Sequence, residues 1–324
     1  MSETTYELTS CPVCGRNDAE EIANADDMIV ERERLWEFHS RRLRPETPPE
    51  SLMDRVAFSQ EPPVRLARCG GCGHIYRNPR EREETLTADY EADAPGDDVL
   101  RALFETQRRT YAAQALRLTN VVGRCGRGVE VGSYAGGFLA AARDLGWTFD
   151  GVDISGRAAA FARTQGFRVT QGRIEDMQFD GTLDAVAIWN TFEQLYDSRS
   201  AVAAARRLLR DRGVLALRVP NGEFYAHWRG KVHGVMGAAA ERMLVHNNLL
   251  TFPYRQGFTA GSMERLLTGF GFEIETVYGD TLVPIADEWT TMLGAAEERL
   301  VKRAERTMQT GWELPWVEVY ARAM

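Results

Sequence analysis

The segment Gly128-Val-Glu-Val-Gly-Ser-Tyr-Ala-Gly-Gly-Phe138 constrains this chain more than any other. Val129 and Val131 alternate with Glu130 as in a short buried strand. The chain must then turn sharply, and Gly132, Gly136 and Gly137 permit backbone angles and close approaches that a side chain blocks. A helix opens at the end of the turn, so its free N–H groups can face a ligand. A second strand follows and ends in an acid, Gly151-Val-Asp153. Strand, glycine turn, helix and acid-tipped strand is how an open α/β sheet holds an adenosine group, with the acid on the ribose hydroxyls. A dinucleotide fold wants G-x-G-x-x-G after its first strand. Here Gly132 is followed by Ser133 and Tyr134, and the second glycine is absent. No pyrophosphate has to lie on this turn, which argues against an NAD-dependent oxidoreductase. The glycines alone also suit a tight turn in any α/β protein; Asp153 tips the reading towards a ligand.

The rest of the chain supplies the sheet. Strands are expected at 128–132, 148–153, 167–171, 183–189 and 213–219, with helices at 136–145, 155–165 and 198–210 between them. Such alternation predicts a parallel sheet with helices on both faces. A helix from Asp97 towards Val121 precedes it, with Leu100, Leu103, Phe104, Tyr111 and Leu116 on one face. After the fifth strand, 221–250 interrupts the alternation at the sheet edge where ligands bind, so it is assigned to an acceptor pocket. A helix at 260–269, a strand at 272–279, an amphipathic segment at 286–308 and a closing antiparallel strand at 315–322 follow.

Four of the five cysteines form two matched knuckles, Cys11-Pro-Val-Cys14-Gly15 and Cys69-Gly-Gly-Cys72-Gly73. Each can present two thiolates on a tight turn, and four thiolates make a closed structural zinc site. Disulfides and a redox C-x-x-C are the alternatives. Cys125 stands alone. The expected organisation is a zinc-binding module over 1–80, a linker or lid over 81–97 and the α/β domain over 98–324. The first module carries an insertion, Asp26 to Glu61, with a charged helical stretch around Glu31 to Arg44 that the Pro-rich segment Pro45 to Pro63 ends. Val64 to Arg68 alternates as a short strand, and 81–97 is acidic and irregular.

The ordered series resembles the class I S-adenosylmethionine (SAM) methyltransferases. Val129 to Phe138 and Asp153 match their first two motifs, and Gly172-Arg-Ile-Glu-Asp-Met177 the acidic loop beside the adenine. Leu183 to Trp189 with Asn190 to Asp197 matches strand four and its loop, and Leu208 to Pro220 the turn into strand five. Phe258 to Phe272 matches the approach to strand six. The resemblance implies an α/β, Rossmann-like seven-stranded sheet and a SAM site. In that site Gly132, Ser133, Tyr134 and Gly136 let the backbone approach the cofactor, with Glu130 supporting the loop. Asp153 holds the ribose and Ile154 packs on the adenine. Glu175 or Asp176 faces the adenine amino group, unless that turn is simply solvated, and Asn190 lies near the methyl. Tyr134 departs from the glycine usual at its place.

With the cysteine knuckles, the chain is similar to the sugar C-methyltransferases that act on nucleotide-linked deoxysugars, the stretch Arg68 to Pro79 carrying the likeness. It departs in two ways. Those proteins carry a further domain after the methyltransferase fold, whereas this chain ends where the fold closes. Their Tyr-x-Glu-His stretch aligns with Val245-His-Asn247-Asn248, so the base that carbon methylation needs is missing. The Glu-His pair common after strand four is Glu193-Gln194, and a glutamine takes no proton at neutral pH. Transfer to oxygen or nitrogen of a small-molecule acceptor is therefore favoured, a natural product, sugar or polysaccharide precursor. The base candidates are His246, His227 and His233, each also readable as a structural or surface group. Arg229 and Lys231 beside Tyr225 and Trp228 either suit an anionic acceptor or form the solvated face of an amphipathic helix. A SAM-binding protein without catalysis and a methyltransferase acting on a macromolecule are the alternatives.

Composition sets the outer bounds. The chain has 324 residues, 44% of them hydrophobic, ample for a large core. The net charge of -8 argues against a general nucleic-acid binder. No run of about 18 apolar residues suggests a membrane span, and the first residues are neither basic nor apolar, so a cytoplasmic protein is expected.

Overall fold

The computed structural model describes residues 5–47, 65–92, 95–178, 182–249, 254–281, 289–308 and 311–324. In chain order the elements are β1 (Tyr6–Glu7), β2 (Ala19–Ala23), α1 (Ala25–Ser40), β3 (Leu66–Cys69), β4 (Ile75–Arg77), β5 (Arg80–Glu81), α2 (Glu83–Ala92), α3 (Asp97–Thr110), α4 (Ala112–Val122), β6 (Arg127–Val131), α5 (Gly137–Asp144), β7 (Thr148–Asp153), α6 (Gly156–Thr164) and β8 (Val169–Gln171). Then come β9 (Leu183–Trp189), α7 (Ser198–Leu208), β10 (Leu209–Pro220), α8 (Gly222–Arg229), α9 (Gly237–His246), β11 (Gln256–Gly257), α10 (Ala260–Thr268), β12 (Phe272–Asp280), α11 (Met292–Met308) and β13 (Trp316–Ala323).

Two compact units interleave along the chain. One takes residues 1–82, 219–265 and 277–317; the other takes 83–218, 266–276 and 318–324. The seven-stranded sheet has the order β12-β13-β10-β9-β6-β7-β8. β6 runs parallel to β7 on one side and to β9 on the other. The chain thus builds outward in one direction through β7 and β8, then crosses to β9 and β10. The reversal between β6 and β9 opens a crevice at the carboxyl ends of the strands, where such sheets bind ligands. β9 is buried along its whole length, as expected of a central parallel strand covered on both faces.

The core of the unit built around β6 joins Leu100 and Phe104 of α3, the alanines of α5, Phe149, Phe161, Ala185, Ala187 and Val214. The expected single helix over 97–121 is two. It breaks at Tyr111, whose φ and ψ are -77° and -1°. The ring packs edge-on against Phe138 at 6.0 Å, and its hydroxyl accepts a hydrogen bond from Asn190 at 2.9 Å. Backbone hydrogen bonds still run through the break, Tyr111 N–H to Gln107 O and Ala115 N–H to Tyr111 O, so the interruption is slight. The segment at 81–97, expected to be irregular, contains α2. Glu83 and Glu84 occupy its first turn, where negative charge suits the helix dipole, and Glu83 pairs with Arg173.

In the other unit, β11, β4, β3 and β2 form a four-stranded sheet, and β1 pairs with β5. Its core joins Met28 and Leu35 of α1, Leu66, Ile75, Phe224, Leu244, Tyr254 and Trp316. α1 starts ahead of the expected stretch because Asn24 and Asp27 form a capping box, each side chain accepting from the other's backbone N–H. The Pro-rich stretch from 48 to 64 lies outside the described residues.

Candidate functional site

The turn after β6 is shaped for a close approach. Gly132 has φ +70°, and a Cβ there would lie 2.2 Å from Thr191 Oγ1, in the loop after β9. No side chain fits. Tyr134 and Asn190 take left-handed backbone angles, φ +45° and +54°, uncommon for residues other than glycine.

Asp153 is tied into this turn. Its Oδ2 accepts from Tyr134 N–H and its Oδ1 from Ser155 N–H, both at 2.8 Å. Burial pushes its pKa up to about 6 against the pull of those two donors. Burial, and then the Asp153 charge, raise Glu130 well above its ordinary value. Glu130 Oε2 and Ser133 Oγ are buried without a hydrogen-bond partner. Two buried polar atoms beside the glycine turn are thus left without partners. Each Asp153 oxygen also keeps a lone pair for a hydroxyl.

Asn190 sits at the tip of β9 in a fixed network. Its amide donates to Tyr111, its side-chain oxygen accepts from Arg218, and its carbonyl accepts from Gln194 at 2.6 Å. Ile154 is half-buried after β7. Glu175 and Asp176 lie on a short turn after β8 and are exposed. Gly172 N–H, ahead of that turn, donates to Asp153 O at 2.9 Å. One residue of the β9 loop was not among the expected site residues. Glu193 is 0% exposed, and neither carboxylate oxygen has a hydrogen-bond partner. Burial pushes its pKa up to about 8. The signal in the sequence was its place in the loop after strand four, beside Gln194.

The four knuckle cysteines converge although the two pairs are far apart in sequence. Their sulfurs lie within 4.8 Å of one another, with Cys11–Cys72 at 3.6 Å and Cys14–Cys69 at 3.4 Å. The two turns repeat one pattern. Cys11 N–H donates to Arg16 O and Gly15 N–H to Cys11 O; Cys69 N–H donates to His74 O and Gly73 N–H to Cys69 O. A tetrahedral zinc with Zn–S of about 2.3 Å places its sulfurs about 3.8 Å apart, so the cluster has the size such an ion needs. The hydrogen bond from Cys11 pulls Cys72 down to about 5, giving it thiolate character.

The knuckle sheet is also joined to the segment after β10. Thr259 Oγ1 donates to Cys72 O at 3.2 Å, and β11 pairs with β4. His74 bonds Gln256 at 3.1 Å and packs on Phe258. Phe258 O in turn accepts from Gly222 N–H at the start of α8.

The three candidate bases are not brought together. His227 is exposed on α8, with Lys231 Nζ 2.6 Å from its Nε2. His233 is exposed in the following turn. His246 is buried at the end of α9, edge-on to Phe38 at 4.8 Å and 3.4 Å from Glu297. Burial, then Arg42, depress it to about 4. Arg229, expected to serve an anionic acceptor, is paired with Glu31 at 2.7 Å and Asp27 at 3.1 Å.

Residues 97–277 match the family model described as a methyltransferase domain. The match spans more than half of the chain, and the chain belongs to that family: it is a class I SAM-dependent methyltransferase. No curated protein matches it. Among solved structures, a SAM-dependent methyltransferase from Thermotoga maritima, described as a possible histamine N-methyltransferase, is 20% identical, with 67% of this chain and 91% of that one covered and a TM-score of 0.44. The geranyl diphosphate C-methyltransferase of Streptomyces coelicolor A3(2) is 18% identical over 67% and 78%, with a TM-score of 0.45. A SAM-dependent methyltransferase from Archaeoglobus fulgidus is 16% identical over 66% and 94%, with a TM-score of 0.46. Among the described residues, no helix is long and apolar enough to cross a membrane.

Proposed function

We propose that this protein methylates an oxygen or nitrogen atom of a small-molecule acceptor, with SAM bound at the carboxyl ends of β6, β7 and β9. The observation that carries the assignment of this site is the pair of orphaned atoms, Glu130 Oε2 and Ser133 Oγ, beside Asp153 and a turn too tight for any side chain at Gly132. Asp153 accepts from the ribose hydroxyls, and Ile154 covers the adenine face. The exposed Glu175 or Asp176 receives the adenine amino group. Glu130 and Ser133 answer polar groups of the amino-acid end, and Gly136 keeps the entrance of α5 open. When bound, SAM supplies an electrophilic methyl on a sulfonium; the protein's part is to hold the two reactants in line and receive a proton.

The four cysteines are proposed to hold one structural zinc ion, whose closed sulfur shell leaves no open position for chemistry. Calorimetric titration with S-adenosylhomocysteine tests the donor site. Asp153→Ala removes a charged hydrogen-bond acceptor and is expected to weaken binding by about tenfold to a few hundredfold, with the far-ultraviolet dichroism unchanged. Unaltered affinity in that variant would remove the site assignment.

A further inference from the structure

Glu193 is the one fully buried carboxyl at the sheet's carboxyl edge whose two oxygens both lack a partner among the described residues. Burying an acid without hydrogen bonds is unfavourable, so its presence there calls for an explanation. Its position is well defined. It lies in the short 3-10 turn Phe192–Gln194, directly after β9. Two residues earlier, Thr191 closes on the place where a Gly132 side chain would be. Asn190, three residues earlier, is fixed by Tyr111 and Arg218. The loop cannot drift from the glycine turn.

We infer that the Glu193 carboxyl faces the point where the methyl group is handed over and takes the acceptor's proton. In that step the acceptor's X–H bond breaks and its proton forms the O–H bond of Glu193. The electron pair left on X forms the bond to the methyl carbon, and the donor's sulfur keeps the pair of the broken S–C bond. The inference rests on the SAM site proposed above. It also replaces the three histidines, none of which lies in this loop.

Burial dominates at Glu193; its own backbone N–H, then the Gln194 side chain, then the Arg218 charge on β10 lower the pKa by less than burial raises it, and none of them makes a well-formed hydrogen bond to either oxygen. The free protein thus carries a largely protonated Glu193 at pH 7. A cation or a proton donor placed beside it favours the ionised form and expels that proton.

Sinefungin tests this without knowledge of the acceptor. It is a SAM analogue in which an amine-bearing carbon replaces the methylated sulfur, so it sets an ammonium where the methyl lies. S-adenosylhomocysteine has nothing there. Glu193→Gln is expected to weaken sinefungin by about tenfold or more and S-adenosylhomocysteine by less than about threefold. In the unaltered protein, sinefungin affinity relative to S-adenosylhomocysteine is expected to rise from pH 6 towards pH 8. Titrations in two buffers should show up to one extra proton released. Equal effects of Glu193→Gln on both ligands, or on neither, overturn the inference. If that variant fails to fold, the unaltered protein decides, and a flat affinity ratio over this pH range overturns it. If the unaltered protein binds neither ligand, the SAM site assignment has failed and the inference falls with it.

Discussion

At the scale of single residues, this protein buries carboxyl groups that its core does not need. Burial raises Glu130, Asp153 and Glu193 alike; at Asp153 and Glu193 it outweighs stabilising partners, and at Glu130 the Asp153 charge adds to it. A carboxyl raised in the folded state binds its proton more tightly there than in the unfolded chain, so it stabilises the fold at low pH. That stability is lost as the pH rises through the folded pKa. For Glu193 the window runs from its ordinary 4.5 to about 8. The melting temperature of the ligand-free protein is expected to fall between pH 6 and pH 8 by more than that of Glu193→Gln. Equal slopes in a scanning-fluorescence series would show that this carboxyl is not shifted. A second buried group, Arg229, is held by Glu31 and Asp27, with Glu31 only 4% exposed. Arg229→Met leaves that carboxylate stranded and is expected to destabilise by about 3–5 kcal/mol, while the double variant Arg229→Met, Glu31→Leu recovers most of the loss. Denaturant midpoints of the three proteins check it. The place of Asp153 at the end of a strand was legible in the sequence because the strand and the acid that ends it are a local pattern. The burial of Arg229 in an ion pair fits neither an acceptor contact nor a solvated helix face, and it was not legible because its partners lie about two hundred positions away in α1.

At the scale of elements, the glycine turn, β7 and β9 were legible since each is a local pattern: alternation, a break, and a continuous apolar run. α2 was hidden because its acidic residues look like a solvated linker, when they are a helix start with Arg173 opposite. The interruption at Tyr111 was hidden because no glycine or proline marks it. The two cysteine turns were plain, but what they hold was not. Cys72 O bonds Thr259, and β4 pairs β11, whose neighbour Phe258 accepts from the first residue of α8. Purified protein is expected to contain about one zinc per chain, and a structural zinc of this kind contributes on the order of 10 kcal/mol to folding. Chelation should therefore speed amide exchange at Gly73, Arg77 and Gly222 while β6 and β9 keep their protection. Metal-free protein with unchanged exchange at these amides would make the cluster dispensable.

At the scale of the whole molecule, the chain does not arrange its functions in linear order. The residues proposed for the donor site all fall within 83–218. The other unit is assembled from the N-terminal 82 residues, the stretch after β10 and the stretch holding α11. Reading along the sequence finds the first kind of unit easily, since its strands and helices follow one another. The second kind leaves no periodic trace, because its contacts join segments separated by the entire donor site. Its core shows the consequence. Ala23, Met28, Leu35, Leu66 and Ile75 come from the N-terminal segment, and Phe224, Leu244, Tyr254 and Trp316 come from later ones. The sheet edge at β11 likewise has β4 as its partner. Removing residues 1–82 would expose these apolar side chains and leave backbone groups of β11 unpaired, each a recognised route to aggregation. A fragment spanning 83–324 is thus expected to bind a hydrophobic dye strongly and to melt at lower temperature than the full chain. Because β6, β7 and β9 remain, the soluble portion should still bind S-adenosylhomocysteine. A monodisperse fragment with the full chain's melting temperature and no dye binding would instead make the N-terminal segment a separable module, joined to the rest only through the chain.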